Sequence, residues 1–238
     1  MTKTTRQGSI AIITARGGSK RIPHKNIRPF CGEPMIAYSI RAAKESGLFE
    51  EVMVSTEDET IAAIAREYGA NVPFLRSEKN ADDTATTAEV LTEVLSRYEA
   101  DGFAFDSACC LYPTAPFLTG EILKEAKTKL DESGADTCMP LVVFSFPPQR
   151  GMTMENDRVR FVDEAHRNTR SQDLTTIYHD CGQFYFFRVE PFLQSGILIG
   201  DNTAGLVLPE LLVQDIDNEE DFQIAEFKYK YLHRDDEN

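Results

Sequence analysis

Residues 9–26 read SIAIITARGGSKRIPHKN. An apolar run of the kind that forms a buried strand opens directly into a turn with two adjacent glycines, a serine and a dense group of cations. Arg16, Lys20, Arg21, Lys25 and Arg28 fall within thirteen residues, and no Asp or Glu precedes Glu33. The chain as a whole carries a formal charge of -14, so this basic segment runs against its surroundings. Backbone amides released by Gly17 and Gly18, with Lys and Arg around them, make a concave donor surface suited to phosphate oxygens. A solvated basic loop is the plain structural alternative. The segment Gly17-Gly18-Ser19-Lys20 lacks the upstream glycine of a P-loop, and no G-x-G-x-x-G occurs, so a phosphate site here belongs to another class.

Outward from this loop the chain alternates strand and helix. Pro34 stands where a helix starts, with Ile36, Ile40 and Ala43 on one face and Gly47 as the stop. Residues 51–55 alternate as a second strand. Thr56 and Glu59 form an expected capping box for a helix that carries Ile61, Ile64, Ala65 and Tyr68 up to Gly69. A short third strand is expected at 72–75, ending at Arg76. Thr86 and Glu89 form a second capping box, which places Thr87 in the first helical turn, where backbone amides are unpaired within the helix. Residues 105–111 read as a buried strand, 112–116 (YPTAP) as the loop at its carboxyl end, 119–131 as a helix and 137–143 as another strand. Five such alternations predict an α/β fold with a doubly wound, mostly parallel sheet and ligand at the strands' carboxyl ends. The loop after the first strand, the Arg76 loop and the Tyr112 loop all lie there.

From Phe144 the rhythm breaks. Pro147-Pro148 begins an irregular excursion that includes RNTRSQDL at 167–174 and the apolar run 183–189. The chain closes with the segment 213–217 and a helix whose expected core stripe is Phe222, Ala225, Tyr229 and Leu232, capped by Asp217 or Asn218. Asp215 and Asp217 are two apart, so on an extended backbone both carboxylates share one face while Ile216 points into the core. Such a pair suits Mg2+ shared with a phosphate chain. A helix cap is the competing reading of the same residues.

Composition narrows the class. The chain has 238 residues, 42% hydrophobic and 27% charged, the mix of a soluble globular protein large enough for a sizeable core. Its acidic balance argues against nucleic-acid binding, though the one basic loop suits a nucleoside triphosphate. No apolar run approaches the ~20 residues that span a bilayer, and the first residues lack a signal-peptide pattern, so no membrane association and a cytoplasmic location are expected. Five cysteines without C-x-x-C spacing argue against a disulfide framework or structural zinc.

The run ARGGSKRIPHKNI at 15–27, with Gln214-Asp215-Ile216-Asp217 and Tyr178-His179-Asp180-Cys181-Gly182-Gln183, resembles the CMP-sugar synthetase (acylneuraminate cytidylyltransferase) family. The resemblance extends over about 9–232. It implies a Rossmann-like nucleotidyltransferase core at about 9–143 and 204–235, with an inserted dimerisation arm at about 144–203 and hence a homodimer. It also implies transfer of CMP from CTP to the anomeric hydroxyl of a nine-carbon acidic sugar, with Mg2+ as cofactor. Pseudaminic acid is expected ahead of sialic, legionaminic or 3-deoxy-octulosonic acid, and a catalytically silent nucleotide-binding relative is the other alternative. By the same resemblance, Arg16, Lys20, Lys25, Asp215 and Asp217 carry the reaction, the two aspartates through the metal. Ala15, Gly17, Gly18, Ser19 and Asn26 join Arg16 and Lys25 around the nucleotide, and Arg76 and Thr87 match positions at the cytidine. Tyr112, Arg170, Gln172 and Gln183 are the implied sugar contacts. Two departures stand out: Tyr112 replaces the glutamine usual in sialic acid synthetases, and Cys181 replaces an alanine of the pseudaminic pattern.

Overall fold

The computed structural model describes residues 5–19, 21–82 and 84–234. Its centre is a seven-stranded sheet. Strand β1 (Thr5–Thr14) pairs in parallel with β4 (Glu51–Ser55) on one side and β5 (Phe103–Leu111) on the other. Strand β6 (Thr137–Val143) pairs in parallel with β11 (Thr203–Val207), and β10 (Phe184–Arg188) runs antiparallel between β5 and β6. The order is β11-β6-β10-β5-β1-β4, with β9 (Tyr178–Asp180) also antiparallel on β6. Five strands therefore point one way, and β10 with β9 opposes them. Two small hairpins, β2 (Pro29–Phe30) with β3 (Glu33–Pro34) and β7 (Met152–Glu155) with β8 (Arg158–Phe161), lie outside the sheet.

Strand periodicity divides the core into two layers. Ala11, Ile13, Cys109, Leu111, Phe184 and Phe186 face helices α1 (Met35–Ser46), α2 (Glu59–Glu67) and α5 (Gly120–Ser133). The alternate residues, among them Ile10, Ile12, Cys110, Tyr185 and Phe187, face α4 (Thr87–Ala100) and α6 (Val189–Ser195). Phe186 is fully buried and its ring stacks on Phe49 at 5.6 Å. Phe186→Ala should lower stability by about 3–5 kcal/mol through lost transfer energy and a residual cavity. A urea titration that shifts by less than about 1 kcal/mol would contradict this placement.

A third cluster brings the two ends of the chain together. Ile22 from the basic loop, Phe30, Met35 and Tyr38 pack with Ile216, Phe222 and Ala225, the last two from α7 (Glu219–Leu232). Phe30 meets both Tyr38 and Phe222 edge to face. Asn218, rather than Asp217, caps α7 in a reciprocal box with Asp221, and this leaves Asp217 available to the loop it faces.

Several expectations change. No strand forms at 72–75: Asn71 makes one bridge to Met53, and Pro73 has no N–H to continue a ladder. The short helix α3 (Glu78–Ala81) follows instead. Helix α2 is capped by Asp58, which accepts from the amides of Thr60 at 2.7 Å and Ile61 at 3.2 Å, while Thr56 bonds back to the Asp58 amide. The Thr86–Glu89 box is present as expected. Residues 213–217 join no strand, although Ile216 is buried as the alternation requires. The run 144–203 is not an insertion apart from the core, because β10 lies at the middle of the sheet and α6 covers one of its faces. Its phenylalanines, facing alternate layers, could have signalled a sheet strand.

Candidate active site

The loop after β1 is held from both sides. The Ala15 amide donates to the Ser55 carbonyl at 3.0 Å, and buried Asn26 donates through Nδ2 to the Arg16 carbonyl at 2.8 Å. Gly17 lets the loop approach Asp58 closely: a Cβ there would come within 2.7 Å of its carboxylate and push the side chain that caps α2. The Gly17 amide donates to Glu57 Oε1 at 2.6 Å, and Glu57 Oε2 lies 3.9 Å from Arg76 Nη1. Arg76 is almost fully buried, with Nε on Ser55 Oγ at 3.1 Å and Nη2 on the Ser55 carbonyl at 2.5 Å. Burial pulls its guanidinium below the ordinary value, opposed by the Glu57 and Glu93 carboxylates.

These contacts shape a cavity of about 400 Å3 at the carboxyl ends of the parallel strands. Arg16, Ser19, Lys25 and Asn26 form its basic wall, Arg76 and Thr87 line it further on, and Tyr112 and Asp217 complete it. Lys25 donates through Nζ to the Ile216 carbonyl at 2.5 Å, between the two aspartates. Arg21 pairs with Asp217 at 2.7 Å. Burial pulls the Lys25 ammonium below its ordinary value, and Asp217 and Asp215 oppose that shift. Partial desolvation, reinforced by Asp217, pushes the Asp215 carboxyl upward. The opposed signs from the two ends of the polypeptide thus meet at one wall.

A second cavity of about 550 Å3 adjoins at Tyr112. Asp215 lines it, with Val142, Val143, Phe144, Asp180, Tyr185 and Lys228. Asp180 accepts from the Gly182 amide at 2.8 Å and from the Tyr185 hydroxyl at 2.5 Å, and the Tyr112 and Tyr185 rings meet edge to face at 5.7 Å. Burial pushes the Tyr112 phenol upward, opposed by the Thr87 hydroxyl. Asp215 and Asp217, on either side of buried Ile216, are the two carboxylates that could hold a divalent cation where the cavities meet.

Residues 10–195 match the sequence model of the cytidylyltransferase family. The chain belongs to the cytidylyltransferase family. It is 41% identical over 226 residues to a pseudaminic acid cytidylyltransferase of Campylobacter jejuni, covering 94% of this chain and 97% of that one. A CMP-N,N'-diacetyllegionaminic acid synthase of the same organism is 32% identical, with 92% of this chain and 93% of that one covered. In fold, the structure is similar to a CMP:2-keto-3-deoxy-manno-octonic acid synthetase complexed with CTP, at a TM-score of 0.67 and 17% identity, over 94% of this chain and 99% of that one.

In this cytidylyltransferase the expected site residues divide. Arg16, Ser19, Lys25, Asn26, Arg76, Thr87, Tyr112 and Asp217 line the first cavity, and Asp215 lines the second. Lys20 lies outside the described residues. Ala15 is buried in the core with its amide in the sheet's hydrogen bonding, and the Gly17 amide is taken by Glu57, so neither lines the cavity. Gly18 lies outside the lining as well. Gln183 is buried and lines neither cavity; it donates to the Leu212 carbonyl at 2.7 Å, which anchors the segment leading to the aspartates. Arg170 and Gln172 sit exposed at a single 3-10 turn and line neither cavity within one chain.

Sequence reasoning missed Glu57, the Asp180–Tyr185 pair and Lys228. Glu57 stands in the segment read as a cap, and Tyr185 in the run assigned to the arm. Lys228 is one turn beyond Ala225, on the flank of the stripe that marked α7 as core-facing.

Proposed function

We propose that the protein is a CMP-sugar synthetase whose acceptor is a nine-carbon acidic sugar, with pseudaminic acid as the substrate. One observation carries the reading: a cationic cavity built from the N-terminal loop meets two C-terminal carboxylates, and a second cavity opens at their junction. The likeness over nearly the whole chain to a relative named pseudaminic acid cytidylyltransferase supports the substrate. The apolar wall of Val142, Val143 and Phe144 suits acyl or methyl substituents on such a sugar.

In this reading CTP lies in the first cavity, with Arg16, Ser19 and Lys25 on its phosphates and Arg76 and Thr87 toward the nucleoside. The sugar lies in the second cavity, with its anomeric hydroxyl directed at the α-phosphorus. The hydroxyl oxygen forms the new P–O bond and gives up its proton to solvent, and the bond from the α-phosphorus to the bridging oxygen breaks to release pyrophosphate. Such transfers need alignment and charge neutralisation more than covalent help.

The donor set fits Mg2+. Asp215 and Asp217 are two hard carboxylates at the junction, and among the described residues no three or more acidic, His or Cys side chains are placed to hold a metal ion together, so phosphate and water would supply the other ligands. A bound Mg2+ would neutralise phosphate charge and acidify a coordinated hydroxyl. Arg21 would have to release Asp217. Both side chains are substantially exposed, so the exchange costs only about 0.2–1 kcal/mol.

The hairpin β7–β8 projects Met154 at 72% exposure and Val159 at 59%, with Val162 close behind at 69%. We infer a homodimer in which this apolar face is covered by a second copy. A monomer by sedimentation at micromolar concentration would refute it. No helix among the described residues is long and apolar enough to cross a membrane.

Pyrophosphate release with CTP, Mg2+ and a panel of acidic sugars tests the function. Pseudaminic acid should give the highest kcat/KM. A preference for sialic, legionaminic or 3-deoxy-octulosonic acid would overturn the substrate assignment, and CTP binding without product from any sugar would indicate a silent relative.

A further inference from the structure

The acidic sugars of this class carry a carboxylate on the same carbon as the reacting hydroxyl. Wherever that hydroxyl is placed for attack, the carboxylate lies a bond or two away. The hydroxyl belongs at the junction marked by Tyr112, Asp215 and Asp217, so the carboxylate must enter the second cavity near Asp215. That cavity is otherwise hostile to an anion, because Asp180, Glu210 and Asp215 all line it. Among the described residues its one lysine or arginine is Lys228.

Lys228 is held in place by the same segment that carries the aspartates. Its Nζ donates to the Val213 carbonyl at 2.8 Å and lies 3.5 Å from the Glu210 carbonyl. Two carbonyls account for two of the three ammonium hydrogens and leave one for a further acceptor. The side chain is half-buried, whereas its neighbours Phe227 and Lys230 are exposed. The other basic group of the cavity, His179, has Nδ1 2.9 Å from the Asp180 carbonyl and its ring 4.6 Å from that of Phe144. Arg170 is exposed and lines neither cavity.

We propose that Lys228 seats the carboxylate of the sugar substrate and so selects 2-keto acid sugars over neutral ones. This rests on the synthetase reading above and adds to it the group that recognises the acid. The carbonyl contacts fix the ammonium two residues from Asp215, which places the charge that binds the acid beside the charges that engage the metal and phosphate.

The test compares the free acid with its C1 carboxamide as acceptors for the wild type, Lys228→Met, Lys228→Arg and Arg170→Met. The wild type should favour the acid in kcat/KM by about 100-fold, the size of a lost charge-assisted hydrogen bond. Lys228→Met should remove that preference by lowering turnover of the acid alone, with KM for CTP unchanged. Lys228→Arg should restore most of it. If Lys228 only tethers residues 210–213, Lys228→Met will slow acid and amide equally, and the proposal fails. It also fails if the preference survives in Lys228→Met and disappears in Arg170→Met. A wild type that releases no pyrophosphate with any acidic sugar overturns the functional reading itself, and this inference with it.

Discussion

Asp217→Asn should lower kcat/KM for CMP transfer by about 10^3-fold while leaving the fold intact. The amide keeps the size of the carboxylate and can still accept from Arg21, so packing around buried Ile216 is undisturbed. What disappears is the charge. The Arg21–Asp217 pair is too exposed to contribute much stability, so the melting temperature should move by no more than a few degrees. Asp215 alone would then face the divalent ion that the proposed reaction requires. Pyrophosphate release measured across a Mg2+ titration decides it: unchanged rates at saturating Mg2+ would refute the metal role.

Lys25→Met should be comparably damaging for a different reason. Lys25 sits on the basic wall and also bonds the Ile216 carbonyl, so in the proposed reaction it is both a phosphate ligand and the clasp between the N-terminal loop and the Asp215–Asp217 segment. Losing a partly buried cation aimed at a triphosphate corresponds to about 10^2- to 10^3-fold in kcat/KM. The two variants separate in a binding experiment without metal. Calorimetry should find CTP affinity nearly unchanged in Asp217→Asn and reduced at least tenfold in Lys25→Met. Equal retention of affinity in both would remove Lys25 from the phosphate site.

Local signals made much of this site legible in the sequence. The grouping of cations against an acidic background located the basic wall of the first cavity, the Thr86–Glu89 box placed Thr87 at the start of α4, and the spacing around Ile216 predicted one inward apolar residue between two carboxylates. What was not legible depends on tertiary competition. Thr56 and Asp58 both satisfy cap chemistry, and only the folded backbone gives the position to Asp58. The resemblance offers Gln183 as a sugar contact, yet in the fold it is buried and bonds a carbonyl 29 residues away. Lys228 lies in a helix whose amphipathic pattern says only which residues face inward, and the neighbouring carbonyls that orient its ammonium come from another segment. The resemblance supplied the substrate class, which does not follow from periodicity, and reinforced the metal expectation that the Asp215–Asp217 spacing had raised.

The antiparallel strand β10 also bears on biogenesis. It separates β5 from β6, and every partner of β6, namely β9, β10 and β11, is synthesised after it. A chain emerging from the ribosome can join β1, β4 and β5, but it presents the far edge of β5 bare and β6 unpaired until residue 188 has left the exit tunnel. Completion of the sheet is therefore a late, nonlocal event, and the intermediate before it is the species most exposed to intermolecular edge pairing and most in need of chaperone shelter.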